Sequence, residues 1–250
     1  MATQAKSPET VYQDALVNYL ISMARTVEGN MNRAIEALLK RDAQLASDVF
    51  LTEPRVNEME IVIDEHAVRL LRAGGLADPS IRFVVASLKI NNDLERIGDL
   101  AVNIGQRVLS LAQMGDVEYP PELGPMSDAV RAMVSKSLGG LIYRNVELAR
   151  EVLESDDVVD RYRDIIFERL LAAMTKDAAL AAPNLQFVLV SRYLERIADH
   201  TTNIAEDILF WLRGLEVRHG RGRAAEQPDA VVDSTASGER FTEPGPADLP

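Results

Sequence analysis

A short stretch of this chain occurs twice. Residues 94–104 read Leu-Glu-Arg-Ile-Gly-Asp-Leu-Ala-Val-Asn-Ile, and residues 194–204 read Leu-Glu-Arg-Ile-Ala-Asp-His-Thr-Thr-Asn-Ile. Recurrence of this kind marks two related structural units and restricts the chain to a duplicated architecture. Each copy also sets a Glu and an Asp four residues apart, Glu95 with Asp99 and Glu195 with Asp199. Like charges at that spacing repel along a helix surface. The pattern therefore costs stability unless something else offsets it.

The flanking sequence is helical on both sides of each copy. Val11, Ala15, Val17, Leu20, Ile21, Ala24 and Val27 recur at threes and fours, the spacing of one helix face. Ser7 and Pro8 suit the start of this helix. It continues past Gly29, where it could bend, to Leu39. A shorter stretch comes next with Leu45, Ala46 and Val49, and Thr52-Glu53-Pro54 interrupts it, with Thr52 expected to cap the restart. Gly74-Gly75 ends that segment, and Asp78-Pro79 opens the helix that carries the first motif, with Asp78 as its cap.

The strongest punctuation lies beyond that helix, with Gly115, Pro120, Pro121, Gly124 and Pro125 close together. The second half then replays the first. Asn145, Leu148, Ala149 and Val152 echo Asp42, Leu45, Ala46 and Val49, and Ser155-Asp156-Asp157 stands where Thr52-Glu53-Pro54 stood. No segment shows sustained strand alternation. The expected fold is all-α: two tandem, homologous three-helix bundles with the middle helix of each interrupted. The boundaries read as an N-terminal tail at 1–7, a first repeat at 8–114, a linker at 115–125, a second repeat at 126–214, and a disordered, mostly acidic tail at 215–250. That tail begins with a small basic cluster, Arg218, Arg221 and Arg223.

Composition narrows the function. The formal net charge of −12 argues against free nucleic acid as a partner, because binding requires Lys and Arg to displace counterions. It favours cations or basic protein patches. The absence of Cys excludes disulfides, Fe–S clusters and zinc–thiolate sites. No apolar run is long enough to span a bilayer and no secretory leader is visible. A soluble, cytoplasmic protein is the simplest reading.

On a helical wheel the first motif separates into two stripes. Leu94, Ile97, Ala101, Ile104 and Val108 form a bundle seam. Glu95, Asp99 and Asn103 fall roughly opposite, and Glu195, Asp199, Asn203 and Glu206 do the same in the second copy. The carboxylates are therefore expected on the outer face of the bundle, with the two rows side by side if the units pack together. Rows of oxygen donors suit hard cations, and manganese or iron can use them too. The candidate metal site is Glu95, Asp99, Glu195 and Asp199, with Asn103, Asn203 and Glu206 as further donors. The plain alternative is a solvated charged face paired with Arg96 and Arg196. The second copy has His200 and Glu206 where the first has Leu100 and Gln106, so the first site is expected to be the poorer.

These residues resemble the PhoU family, whose pattern L-E-R-I-(G/A)-D-H-x-x-N-I-A-E appears once per three-helix repeat. The second copy matches it throughout, while the first departs at Leu100, Gly105 and Gln106. The resemblance covers about residues 8 to 214. It implies pseudo-twofold symmetry, metal clusters of iron, manganese or magnesium on the Glu-x-x-x-Asp rows, and no catalytic mechanism. It also implies a regulator that damps phosphate uptake and phosphate-starvation signalling. Such a regulator would contact a phosphate ABC transporter and a sensor histidine kinase at the inner face of the membrane, and would form a homodimer.

Other readings have less behind them. A di-iron oxidase wants inward Glu and two Glu-x-x-His pairs, and neither His66 nor His200 has a Glu three residues before it; Glu216 with His219 gives a single such spacing, beyond both motifs. A phosphotransfer domain would need His66 or His200 exposed, whereas either suits a structural role. Gly139-Gly140 lacks the Lys-Ser/Thr of a phosphate loop. Trp211 reads as packing. The serious alternative is a metal-independent helical adaptor that uses acidic helix faces to bind a basic partner.

Overall fold

The structure, a computed structural model, describes residues 8–214. The two expected tails, 1–7 and 215–250, lie outside the described residues. Among the described residues there is no strand. The helices are α1 (Pro8–Lys40), α2 (Ala43–Val49), α3 (Glu53–Ala73), α4 (Asp78–Ala112), α5 (Leu123–Tyr143), α6 (Val146–Leu153), α7 (Asp156–Lys176) and α8 (Ala181–Arg213), with a 3-10 turn at Ala178–Leu180. The middle helix of each unit is broken, between α2 and α3 and between α6 and α7, as the sequence pattern requires.

Local chemistry explains the breaks. Asp42 and Asn145 are the N-caps of α2 and α6. Each side chain accepts from two backbone N–H groups of the new helix, a cap worth about 1 kcal/mol. The preceding residues, Arg41 and Arg144, are left-handed, at φ 57° and 51°. A side chain held there costs on the order of 1 kcal/mol. Both guanidiniums lie over aromatic rings, Arg41 at 4.4 Å from the Tyr119 centroid and Arg144 at 5.4 Å from that of Trp211. The same strained turn thus recurs at the same place in both units.

Three expected caps differ. Thr52 and Ser155 are αR and make no capping bond. The Ser155 hydroxyl donates instead to the Glu151 carbonyl at 2.6 Å. Asp78 is already inside α4, and Ala77 precedes it. The second unit also starts earlier than expected, at Leu123 rather than Met126, because Pro125 falls in the first turn of α5. The N–H groups there have no intrahelical acceptor, so a proline loses nothing. Gly29 does not interrupt α1. Gly74, at φ 69°, and Gly214, at φ 68°, end α3 and α8 as expected.

The motif helices α4 and α8 form the centre. They run antiparallel and share the most extensive contact in the molecule. Lys89 reaches Asp207, Asp93 reaches His200, and Arg107 reaches Gln186, so positions rise on one helix as they fall on the other. The Leu/Ile seam of each motif is buried throughout, from Leu94 to Val108 and from Leu194 to Ile208. Around α4 stand α1, α2 and α3, and around α8 stand α5, α6 and α7. Both motif helices therefore have neighbours on several sides, which decides where their second stripe points.

Candidate metal centre

The second stripe of each motif helix is only partly open to solvent: Asp199 is exposed and Asp99 half-exposed, but Glu95 and Glu195 are drawn inward. Glu195 is only 7% exposed, because α7 packs over it. Arg163 of α7 donates to its Oε1 at 3.0 Å and Arg192 at 2.9 Å. Oε2 is buried without a partner. The expectation of an outer-face row is corrected at Glu195, which a helix at the centre of a double bundle presents to a groove against a neighbouring helix; Asp199, one turn on, is exposed as expected. Nor do the two rows lie side by side. Glu95 feels Glu60 of α3, while Glu195 feels Asp160 and Asp199 feels Asp156 and Asp160 of α7. Each unit has its own acidic groove.

The groove of the second unit gathers Asp156, Asp160, Glu195 and Asp199. Burial pushes the carboxyls of Glu195, Asp199 and Asp156 above the ordinary carboxylate range. Neighbouring carboxylates push the same way: Asp199 on Glu195, Asp156 on Asp199, and Asp160 on Asp156. Arg192 and Arg163 oppose this at Glu195, and His200 and Arg192 oppose it at Asp199.

The groove of the first unit is looser. Burial and then Asp99 raise Glu95, and Arg96 opposes them. Arg96 lies 3.5 Å from Glu95 and 3.8 Å from Asp99. Asn91 spends its amide on the Glu60 carbonyl and on Asp64 Oδ1, both at 3.0 Å.

Sequence reasoning missed the α3 and α7 carboxylates. Their signal was present, since Glu60 with Asp64 and Asp156 with Asp160 repeat the four-residue acidic spacing on the middle helix of each unit. The further donors go elsewhere. The Asn203 amide donates to Asp93 of α4 at 3.4 Å, and Glu206 lines the α4–α8 groove. Both have turned away from Asp199. Asn103 is half-buried. His200 Nδ1 bonds Asp93 Oδ1 at 2.8 Å and so links the two units. His66 stacks on Tyr19 at 4.8 Å, and Trp211 packs on Phe83 at 4.9 Å.

The donor set is chemically right for a hard cation: crowded carboxylates, no soft ligand, and one buried oxygen without a partner. The arrangement is arginine-bound as it stands. Among the described residues no three carboxylate or imidazole groups converge tightly enough to grip an ion.

The raised carboxyls have a consequence for stability in the absence of metal. The folded state holds these protons more tightly than the unfolded chain. Their contribution is therefore fully present below the ordinary carboxylate pKa and is lost as pH rises through the higher folded values. Asp199→Asn should accordingly stabilise the metal-free protein at neutral pH. The gain should shrink toward the ordinary carboxylate pKa, as read by thermal melts of both proteins across that range. A gain that grew as pH fell would contradict the assigned direction.

This geometry sits on a recognisable chain. The PhoU domain matches it twice, over residues 20–108 and again over 123–208. The chain belongs to the PhoU family. The phosphate-specific transport system accessory protein PhoU homolog of Pseudomonas putida is 34% identical over 237 residues, covering 92% of this chain and 90% of that protein. Its namesake in Pseudomonas aeruginosa is 34% identical over 205 residues, covering 81% and 84%. The crystal structure of PhoU from Pseudomonas aeruginosa superposes with a TM-score of 0.80 at 31% identity, over 82% of this chain and 99% of that one. The Streptococcus pneumoniae PhoU structure, at 22% identity and a TM-score of 0.76, covers 84% and 99% and shares the fold. The two PhoU repeats are the two units described above, and the family pairs them as this chain does.

Proposed function

We propose that this chain restrains phosphate uptake and phosphate-starvation signalling by contact with other proteins. It is a PhoU-family accessory protein of a phosphate transport system, not an enzyme. The observation that carries this reading is the double PhoU match together with relatives named as transport accessory proteins along nearly the whole chain. The partners in this reading are a phosphate ABC transporter and a sensor histidine kinase, met at the inner face of the membrane by a cytoplasmic homodimer. No described helix is long and apolar enough to cross a membrane itself. The acidic grooves would hold hard metal ions of the iron, manganese or magnesium type, with a cation replacing arginine as countercharge. Asp156, Asp160, Glu195 and Asp199 would hold it in the second unit, and Glu60, Asp64, Glu95 and Asp99 in the first.

A strain lacking this protein should express alkaline phosphatase in high phosphate, several-fold above its parent, and the wild-type copy should restore repression. Unchanged phosphatase activity would count against the regulator. The adaptor reading, in which acidic faces meet a basic partner without metal, is favoured by one feature: Arg163 and Arg192 already neutralise Glu195. A Glu195→Ala/Asp199→Ala copy that binds no metal yet restores repression would select it.

A further inference from the structure

The duplication sets opposite charges at one matched position of the two grooves. Along the middle helices, matched residues are 103 positions apart: the N-caps Asp42 and Asn145, the left-handed Arg41 and Arg144, and the buried pairs Val56 with Val159 and Ile63 with Ile166. By the same step Glu60 of α3 corresponds to Arg163 of α7. The motif helices match at a step of 100, Glu95 with Glu195, and there Asn92 corresponds to Arg192. Neither arginine that holds Glu195 therefore has a counterpart in the first unit.

Arg163 stands where the carboxylates of α7 and α8 meet. Its Nη1 is 3.0 Å from Glu195 Oε1 and 3.7 Å from Asp160 Oδ1. Its Nε and Nη2 hold Asp164 Oδ1 at 3.0 and 2.8 Å. One nitrogen thus serves a carboxylate from each helix, while the rest of the fork is anchored on a third. Arg192, by contrast, is largely exposed, and the side chain of Glu195 lies deeper than that of Glu95. A carboxylate at that depth keeps its charge only with a countercharge beside it. Even so, Glu195 Oε2 is buried without a partner, so the arginines leave the groove incompletely satisfied.

We infer that Arg163 is the resident cation of the second groove: it latches α7 to α8 between Asp160 and Glu195, and it must give way before a metal ion can enter. This rests on the metal reading of the grooves. Asp164 makes the exchange possible. It is exposed and already holds two nitrogens of the guanidinium, so Arg163 can leave Glu195 without losing its ion pair. The arginine therefore sets how much metal the groove requires, because a free cation has to outcompete a tethered one. In the first unit Glu60 stands in its place, and the restraint comes instead from Asn91 on Asp64.

Manganese(II) alone is the probe, titrated into the full chain and followed by calorimetry. Arg163→Gln should bind it about tenfold more tightly than the unaltered chain, the worth of one hydrogen-bonded charge. Arg161→Gln removes the same charge from an exposed position of α7, where Arg161 donates to the Asp157 carbonyl. Its affinity should stay within about twofold of the unaltered chain. Thermal melts give a second readout. Without metal, Arg163→Gln should melt below the unaltered chain, because Glu195 loses a countercharge; with saturating manganese it should melt level with it or above. An arginine with a purely structural role would leave the variant lower under both conditions. Arg163→Lys keeps a charge but not the fork, and its affinity should fall between the other two, which keeps the test decisive if the glutamine variant folds poorly. Equal affinities in the three Arg163 forms would overturn this inference and leave the metal reading standing. If none of the three binds manganese, both fall.

Discussion

Phe187→Ala is expected to destabilise the protein by about 3–5 kcal/mol, the range for emptying an aromatic site in a packed core. Phe187 is fully buried on α8. Its ring meets Tyr119 edge-on, with centroids 4.7 Å apart, which adds about 0.5–1.5 kcal/mol beyond burial. Tyr119 belongs to the strap between the two units, and Arg41 stands over its ring and pairs with Asp116 at 3.1 Å. One column of contacts thus ties the end of α1, the strap and α8. In a chain of this size the melting midpoint should fall by about 10 °C. Phe167→Ala is the control, because Phe167 is 47% exposed and surface changes usually stay within about 0.5 kcal/mol. If the two variants melt together in calorimetry, the column does not carry the load assigned to it.

Divalent metal should stabilise the wild-type protein well beyond the Asp160→Asn/Asp199→Asn variant, which keeps only the weaker first-unit groove. At about one hundred times the dissociation constant, a ligand specific to the folded state adds about 2.7 kcal/mol. That corresponds to a rise of roughly 5–10 °C in the midpoint. The variant suits the purpose because it should fold at least as well without metal. It removes two members of a carboxylate cluster in which Asp156 and Asp160 both oppose the charge on Asp199. A variant that gains as much as the wild type would show that the ligands lie elsewhere. If neither protein gains, the metal-free adaptor is the better account. The first unit should respond more weakly, since Asn91 already holds Asp64 and the Glu60 carbonyl there.

Much of this architecture is legible in the sequence because the seam positions recur with helical spacing and the breaks recur with them. Leu94, Ile97, Leu194 and Ile197 are buried where the wheel puts them. The direction of the acidic stripe was not legible. A wheel assigns the stripe opposite a seam to solvent, which holds for a helix with one buried side. On α4 and α8, which have neighbours on several sides, it holds for the exposed Asp199 and fails for the buried Glu195. Only the three-dimensional arrangement shows that Glu195 faces Arg163 rather than Glu95. The caps divide in the same way. Asp42 and Asn145 cap because their own backbone is extended, whereas Thr52 and Ser155 sit in αR backbone that turns their hydroxyls away from the next turn. The strained Arg41 and Arg144 were not legible either, since nothing in an arginine's type marks a positive φ.

The antiparallel seam also sets a timetable for the newborn chain. Asp93 meets His200 across 107 positions, and Lys89 meets Asp207 across 118. At roughly 5–20 residues added per second, α4 emerges on the order of ten seconds before the helix that covers it. Through that interval Asp93 has no His200 and the inner face of α4 has no partner. Duplication has therefore not produced two self-sufficient halves: the unit made first is completed by α8, a helix made about a hundred residues later.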